Sequence, residues 1–459
     1  MNIRKGLSCE SQKTFDEFVI KYDVIHRAYW TNALAEESLK SWHEERLKVV
    51  LSHVKSKSVF YERHFKGVDL DEVTLKNLSS LPFTTKDDLR ASMLDILSGT
   101  LEDSTYYYET TGTTGAATLC PRDDKESYAS NKQLSMAYNA VLEKHFPGES
   151  TVVGIMGPTE VHSFGDTLSD VCHQLGVCSA KIWPHSPVIG YPKTLQLMQD
   201  LHIGIVASAP GLLLALAKEA ERLGLNPRED FFLRAFMMSG ELCTPALKNN
   251  LYSLWGCEAY NSLYGSQEAM IIAAANTNDQ LMPHRLNYII EVLNPKTGES
   301  LGDCGEGELC VTMLVDGIKP LIRYRTGDLV SIHKSTEKPI ALAQTMKVVG
   351  RIKDTMTLNG KAFTAGYIEQ ALLEGIEKCL GYQIVINCVN GMDTVIAKIE
   401  MSKFYQGDRS QLTLLIRERM RERLEVNATI MMVDDLDDHV NLGSWFSWKE
   451  ARIVDQRSL

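Results

Sequence analysis

The sequence lacks most of the features that assign a protein to a broad class directly. Its 48 Lys and Arg residues are outnumbered by 59 Asp and Glu residues, and the net charge of −11 argues against a general nucleic-acid-binding protein. No run of about 18 apolar residues occurs, so no membrane-spanning helix is expected. Ten cysteines are too few for a disulfide scaffold of this length, and polar Ser8–Lys13 stands where a signal peptide would be apolar. We therefore expect a cytoplasmic protein with reduced thiols.

The short motifs of two large nucleotide-binding classes are also missing. Neither the P-loop pattern GxxxxGK[ST] nor the dinucleotide-binding pattern GxGxxG occurs. The pairs Cys172/Cys178 and Cys304/Cys310 each enclose five residues, which does not match the two-residue zinc spacing. The sequence thus argues against a P-loop enzyme, a classical dinucleotide-dependent enzyme and a cysteine zinc site.

Strand-like and helical patterns alternate through residues 151–315, which is typical of parallel βαβ units. Apolar runs of strand length lie at Thr151–Met156, Leu201–Ser208 and Arg234–Ser239. Further along, Ile289–Leu293 and Gly307–Leu314 flank turn residues and predict antiparallel strands.

A second predicted domain begins near Gly350, where the pattern changes. Two apolar runs flank the hairpin signal Asn390-Gly391-Met392-Asp393. An amphipathic helix is predicted at Gln411–Leu424 and a strand at Ala428–Val433. The sequence therefore predicts an α/β fold, with a large N-terminal α/β domain at residues 1–349 and a small C-terminal α+β domain at residues 350–459.

The most informative segment combines four hydroxyl groups with two glycines in six residues. Its members are Thr110, Thr111, Gly112, Thr113, Thr114 and Gly115. Glycine allows close backbone approach, and turned backbone N–H groups together with hydroxyls form an anion-binding concavity. The segment thus predicts a phosphate clamp, although a polar surface turn has the same composition.

Three other motifs carry side chains suited to a nucleotide, and the first two follow strand-like runs. Ser239-Gly240-Glu241 ends an apolar strand, at the position where parallel sheets place ligand sites. Tyr264-Gly265-Ser266-Gln267-Glu268 combines an aromatic ring with a carboxylate that can hold Mg²⁺, and Tyr324–Asp328 offers a carboxylate suited to ribose hydroxyls. Each alone is also explained by a buried tyrosine, a capping glutamate or a turn aspartate.

Taken together, these motifs resemble the adenylate-forming ligase superfamily of acyl-CoA synthetases, adenylation domains and luciferases, and within it the phenylacetate–CoA ligase branch. The resemblance extends from about residue 36 to residue 457, with the motifs in the family's order. Segments with a counterpart in that family are Leu81–Arg90, Thr110–Gly115, Ser239–Glu241, Tyr264–Glu268, Tyr324–Leu329 and Gly350–Asp354.

The resemblance implies an ATP site with assigned residues. Thr110, Thr111, Gly112, Thr113, Thr114 and Gly115 would hold the phosphates. Tyr264 would stack on adenine near Ser239, Gly240 and Glu241, and Gly265 and Gln267 would border the nucleotide. Asp328 and Arg351 would bind the ribose and its surroundings, and Glu268 would bind Mg²⁺.

The resemblance also implies a two-step reaction with a moving C-terminal domain. Lys353 would be the hinge about which the small domain rotates, and Lys449 would be the adenylation lysine. The Lys449 ammonium would bridge the carboxylate and the α-phosphate, offsetting the charge that builds as one anion attacks another. Lys449 taken alone is also explained as an exposed lysine near the end of the chain.

Several positions depart from the family pattern. Ala116 replaces a lysine that often follows the phosphate loop, Gln267 replaces Ser or Thr, and Trp448 replaces the glycine before the catalytic lysine. Gly360–Ala365 differs from the loop that borders the thiol tunnel in the branch. The acceptor thus stays open between coenzyme A, a carrier-protein thiol and an amine, and a non-catalytic nucleotide-binding relative is a further alternative.

The acid pocket is expected at Phe164, Ser208 and Ala209, and an aromatic carboxylate is the usual substrate of the branch. Ordinary loop packing would explain the same residues. ATP and Mg²⁺ are the expected cofactors, and coenzyme A is one of the open acceptors. A small carboxylate is the expected partner and a carrier protein an open alternative, without nucleic acid or membrane. The oligomeric state stays open.

Overall fold

The structure is a computed structural model that describes residues 9–110, 117–335, 342–389, 391–436 and 452–457. The chain divides into two compact units. Unit 1 comprises Met1–Ala137, Val161–Ser163 and Leu263–Val348, and unit 2 comprises Tyr138–Glu160, Phe164–Ser262 and Val349–Leu459. The predicted division into domains 1–349 and 350–459 stays a prediction.

The α-helices in the described ranges are α1 (Cys9–Trp30), α2 (Glu36–Lys57), α3 (Val59–His64), α4 (Lys86–Ser92), α5 (Asp124–His145), α6 (Ser163–Gln174), α7 (Gly190–Asp200), α8 (Pro210–Arg222), α9 (Pro245–Trp255), α10 (Ala365–Leu373) and α11 (Arg409–Leu424). None of them combines the length and apolar character that a membrane crossing requires.

Unit 2 contains the predicted parallel sheet. Its strands are β1 (Val152–Met156), β2 (Cys178–Lys181), β3 (Ile203–Ser208), β4 (Ala235–Met238) and β5 (Glu258–Asn261). They pair in parallel in the order β2-β1-β3-β4-β5. Strands β3 and β4 are buried along their whole length, as continuous apolar runs predict for a sheet covered on both faces. The predicted βαβ units are therefore confirmed.

The next strands form a seven-stranded sheet that belongs mostly to unit 1. They are β6 (Leu263–Ser266), β7 (Met270–Ala275), β8 (Leu281–Pro283), β9 (Tyr288–Leu293), β10 (Gly305–Met313), β11 (Tyr324–Lys334) and β12 (Gln344–Arg351). Their order is β6-β7-β8-β12-β11-β10-β9. Strands β9, β10 and β11 pair antiparallel, which confirms the second predicted strand pattern.

The C-terminal part of unit 2 is the predicted α+β segment. Its strands are β13 (Thr355–Leu358), β14 (Lys361–Thr364), β15 (Cys379–Val389), β16 (Met392–Met401), β17 (Asn427–Val433) and β18 (Ile453–Asp455). Strands β15 and β16 form the predicted antiparallel hairpin, while β17 pairs in parallel with β16. The α/β class with a smaller α+β segment is thus confirmed.

Helix α9 links the α+β segment to the parallel sheet inside unit 2. The buried Asn250 donates its amide N–H to the Cys379 carbonyl and accepts from the Cys379 N–H, both at 2.8 Å. One apolar core includes Leu247 and Leu251 from α9 together with Ile368 and Leu372 from α10. Asn250 therefore satisfies both backbone groups of a residue at the start of β15 without water.

Unit 1 buries three histidines that stay neutral. Burial lowers the pKa of His26 and of His43 to about 4 and that of His284 to about 3, from an ordinary value of 6.5. Neither ring nitrogen of His284 has a hydrogen-bond partner within the described ranges. The unfolded chain therefore takes up protons at these positions at a pH where the folded chain does not.

We expect the free energy of unfolding to decrease as the pH falls from 6.5 to about 4, because the depressed folded pKa values make proton uptake favour the unfolded state. Over this pH range the variant His284→Leu should lose less stability than wild type. The difference between the two losses in free energy of unfolding should reach about 1–3 kcal/mol near the lower limit of the range. Chemical denaturation of both proteins at pH 8 and at pH 5 measures the difference. Exposed His173→Leu controls for the loss of an imidazole, and equal slopes for wild type and His284→Leu would contradict the expectation.

Candidate active site

Glu268 lies in the tight turn between β6 and β7 in unit 1. The register of this pair shifts between Tyr264 and Gly265. A Cβ atom on Gly265 would lie 2.0 Å from the Met270 carbonyl oxygen, so this close approach requires glycine. The turn is stabilised further because the Ala269 N–H donates to the Ser266 hydroxyl at 3.1 Å.

Two long side chains fix the carbonyl groups of this turn. The Arg122 guanidinium donates to the Gln267 carbonyl at 3.4 Å, and the Tyr288 hydroxyl donates to the Ala269 carbonyl. Arg122 is buried and also lies 5.1 Å from the centre of the Tyr108 ring. The backbone on both sides of Glu268 is therefore held in place by buried donors.

The Glu268 side chain is a buried carboxylate that stays ionised. Its exposed fraction is 2%, and the Lys86 ammonium lies 2.6 Å from its Oε1 atom. Burial alone would raise the pKa of Glu268, but the Lys86 charge outweighs this effect and keeps the pKa below its ordinary value. Oε1 is thus paired with the Lys86 ammonium, and a metal ion could bind this oxygen only by displacing the ammonium.

Lys86 is positioned by the residues that precede it. The Thr84 N–H donates to the Arg323 carbonyl and the Arg325 N–H donates to the Thr84 carbonyl, both at 3.0 Å. Thr85 and Asp88 form a capping box at the N-terminus of α4, which starts at Lys86. A bridge to β11 and a helix cap thus fix the backbone from which the ammonium extends.

Tyr264 and Asp328 meet in the same unit. The Tyr264 hydroxyl donates to Asp328 Oδ2 at 2.6 Å. Asp328 follows Gly327, whose φ of +75° favours glycine, and its N–H donates to the Thr326 hydroxyl at 3.1 Å. The structure thus brings together the two residues to which the resemblance assigns adenine and ribose.

The two flanks of the Thr/Gly segment pair with each other. The Thr110 N–H donates to the Thr118 carbonyl at 3.1 Å, and the Thr118 N–H donates to the Thr110 hydroxyl at 2.9 Å. Cys120 and Tyr108 continue this pairing. Residues 111–116 lie outside the described residues, so the phosphate role of Thr111, Gly112, Thr113, Thr114 and Gly115 stays a prediction.

In unit 2, the predicted pocket residues gather at the carboxyl ends of the parallel strands. Ser208 ends β3 and is followed by Ala209, and both are fully buried. The Phe164 ring lies against Gly157, directly after β1, where an added Cβ would come within 2.4 Å of the ring. This edge of a parallel sheet is where ligands usually bind.

Ser239, Gly240 and Glu241 follow β4 at the same edge. The Ser239 N–H donates to the Ser208 carbonyl at 3.0 Å. The Glu241 carboxylate accepts from Arg452 at 3.0 Å, and Arg452 also lies 3.5 Å from Glu369. The carboxylate thus belongs to a buried ion-pair network, which is a structural role that the sequence motif did not indicate.

The remaining predicted residues lie in or near the C-terminal segment. Arg351 ends β12, and Lys353 is exposed in the short 3-10 turn Ile352–Asp354. Lys449 lies outside the described residues, as does Trp448. Their roles as ribose contact, hinge and adenylation lysine stay predictions.

Sequence reasoning assigned no role to Lys86 or Arg122. Lys86 is part of the motif Leu81–Arg90, but its partner Glu268 is distant in sequence, and no spacing rule connects the two. The described residues contain no group of three His, Cys, Asp or Glu side chains that could hold a metal ion without a further ligand.

Curated relatives resemble the chain along nearly its whole length. A phenylacetate-coenzyme A ligase of Aromatoleum evansii is 25% identical over 452 residues, which cover 92% of this chain and 96% of the relative. A phenylacetate-coenzyme A ligase of Escherichia coli (strain K12) is 25% identical over 443 residues, with the same coverage. The resemblance to this branch is therefore shown.

Solved structures confirm the fold. 2-Hydroxyisobutyryl-CoA ligase in complex with 2-HIB-AMP superposes with a TM-score of 0.79 at 19% identity, over 93% of this chain and 91% of that chain. The sequence profile of the AMP-binding enzyme family matches residues 39–313, which is more than half of the chain. The chain therefore belongs to the family of AMP-binding enzymes.

Proposed function

We propose that the protein is an ATP-dependent ligase that activates an aromatic carboxylic acid as acyl-AMP and then transfers the acyl group to the thiol of coenzyme A. The observation that carries the proposal is the Glu268 carboxylate, which is buried and ionised beside the Lys86 ammonium. Family membership and full-length similarity to phenylacetate-coenzyme A ligases support it. We also propose a cytoplasmic location, because ATP and coenzyme A are supplied there.

The ATP site is proposed in unit 1. Mg²⁺ suits a site with one carboxylate and several phosphate oxygens, since it rarely uses an all-protein cage. Glu268 would supply the carboxylate, and bound Mg²⁺ would neutralise phosphate charge. Asp328 would accept hydrogen bonds from the ribose hydroxyls, while the hydrogen bond from Tyr264 fixes both the carboxylate and the ring that would stack on adenine.

The reaction has two displacements. In the first, a carboxylate oxygen of the acid attacks the α-phosphorus of ATP, and pyrophosphate leaves. In the second, the coenzyme A thiolate attacks the acyl carbon, and AMP leaves. Lys449 would stabilise the negative charge that develops in the first step. Rotation of residues 350–459 about Lys353 would then remove Lys449 from the acyl-AMP and bring the thiol to its place.

The acid pocket is proposed at Phe164, Ser208 and Ala209. These residues are buried at the carboxyl ends of β1 and β3, and the phenyl ring of Phe164 suits an aromatic acid. The relatives' names, which specify phenylacetate, support an arylacetic acid.

Exchange between pyrophosphate and ATP, measured with a panel of aryl and arylacetic acids, tests the first half-reaction. We expect acid-dependent exchange, and thioester formation when coenzyme A is added to the best acid. Acyl-AMP that persists with coenzyme A but is consumed by a carrier protein or an amine would identify a different acceptor. ATP binding without exchange for any acid would contradict the ligase proposal and favour a nucleotide-binding relative.

Asp328→Ala should weaken ATP binding by about 10- to 100-fold, because hydrogen bonds to a charged group contribute about 1.5–3 kcal/mol. Tyr264→Phe should cause a smaller loss, since the carboxylate is retained but its orienting donor is removed. Isothermal titration calorimetry measures both effects. Asp71→Ala, an exposed carboxylate in unit 1, is the matched control, and unchanged affinity in Asp328→Ala would contradict the ribose assignment.

Lys449→Ala should slow acyl-AMP formation by about 100- to 1,000-fold, the usual effect of removing one transition-state donor. Transfer from preformed acyl-AMP to coenzyme A should stay near the wild-type rate, because the first displacement is bypassed. Single-turnover assays of each half-reaction measure this division. Equal losses in both half-reactions would exclude a role specific to adenylation.

A further inference from the structure

We propose that Lys86 is the cation of the triphosphate site: it pairs with Glu268 in the free enzyme and moves to the phosphate oxygens when Mg·ATP binds. This inference rests on the proposed function and assigns a substrate-binding role to a residue that no sequence pattern connects to the metal carboxylate. Three observations carry it: the composition of the Thr/Gly segment, the burial of the neighbouring cations and the contact between Lys86 and Glu268.

The Thr/Gly segment supplies no positive charge. Residues 110–117 read TTGTTGAA and contain neither lysine nor arginine. Hydroxyl groups and backbone N–H groups can orient a triphosphate, but a polyanion entering a partly buried site also requires charge compensation beyond one divalent ion. A protein cation that compensates the phosphates in addition to Mg²⁺ and Lys449 would therefore come from another part of the chain.

Three cationic side chains in the described part of unit 1 interact with Glu268 or with groups around it. Two of them are buried and already donate hydrogen bonds to other protein groups. Arg122 is buried and donates to the Ser163 hydroxyl and the Gln267 carbonyl. Lys319 is 3% exposed, and its ammonium donates to the Leu119 carbonyl at 3.2 Å. The Lys86 side chain is 43% exposed, so it is the cation that solvent, and hence a ligand, can reach.

The contact with Glu268 indicates where the ammonium moves. Mg²⁺ binds a carboxylate oxygen at about 2.0–2.1 Å, and the Lys86 ammonium lies 2.6 Å from Oε1. Two cations cannot share one oxygen at these distances without strong repulsion. Mg²⁺ at Oε1 would therefore displace the ammonium, and the phosphate oxygens of bound ATP would offer it new anionic partners.

The side chain of Lys86 is suited to this exchange. Its backbone is fixed by the capping box and by the bridge from Thr84 to β11, whereas its four-carbon stem is flexible. The ammonium can therefore change partners while α4 stays in place. In the free enzyme the same ammonium compensates the buried Glu268 charge, so one residue serves both states.

The test compares ATP with AMP, because only ATP carries the phosphates that Lys86 would contact. Calorimetric titration should show that Lys86→Met weakens ATP binding in the presence of Mg²⁺ by about 10- to 100-fold, with AMP binding within about twofold of wild type. Lys86→Arg, which retains the charge, should recover most of the ATP preference. Lys55→Met, which removes the lysine of the exposed pair with Asp71, should change neither affinity.

A metal-binding measurement without nucleotide gives an independent result. Mn²⁺ observed by electron paramagnetic resonance should bind Lys86→Met more tightly than wild type, because the ammonium no longer competes for Glu268. Lys86→Met leaves a buried carboxylate unpaired and is expected to be less stable. Glu268→Gln and the double variant Lys86→Met/Glu268→Gln both lack the buried carboxylate, so comparing their ATP affinities isolates the contribution of Lys86, and the double variant should bind ATP more weakly.

The outcomes separate this inference from the proposed function. If wild type binds ATP and Lys86→Met retains the wild-type ratio of ATP to AMP affinity, Lys86 is only a structural partner of Glu268 and the inference is wrong. If wild type itself binds no ATP, the proposed function fails before Lys86 is tested. An equal loss of ATP and AMP binding would indicate a general disturbance of the site and would also overturn the inference.

Discussion

A carboxylate remains ionised inside a protein only if positive groups are fixed beside it, and in this chain Glu268 imposes that requirement. Lys86 supplies the nearest charge, and buried donors hold the turn that carries the glutamate. These partners come from segments far apart in sequence, so the charge balance at one residue requires most of unit 1 to be folded.

The residues proposed for the nucleotide site in unit 1 and those proposed for the acid pocket in unit 2 are held in place by different interactions. Around Glu268 the side chains are charged and mutually compensated, and their positions depend on turns and a helix cap. At the ends of β1 and β3 the side chains are small or aromatic and are placed by parallel strands. Electrostatics therefore organises the first group, whereas packing organises the second.

Sequence analysis predicted the strands and site residues that a local pattern of residues encodes. The parallel strands were predictable because buried strands are continuous apolar runs, and Tyr264, Glu268 and Asp328 were recognised because short motifs surround them. The pairing of Lys86 with Glu268 and of Arg452 with Glu241 was not predictable, because each joins residues that only the fold brings together. The roles of residues 111–116 and of Lys449 stay sequence-based predictions, since these positions lie outside the described residues.

The bridge between Thr84 and Tyr324 has a consequence for how the length of the chain can vary. Lys86 lies two residues after Thr84, and Asp328 lies four residues after Tyr324. The positions of both charged groups therefore depend on this one backbone pairing. An insertion of one residue between Tyr324 and Asp328, inside β11, would shift the Asp328 carboxylate by about 3.3 Å and turn the following side chains to the opposite face. An insertion between Thr84 and Lys86 would disturb the helix cap at the start of α4. Surface turns such as Asn294–Glu299 carry no such constraint, so natural insertions and deletions are expected there and not in these two short intervals.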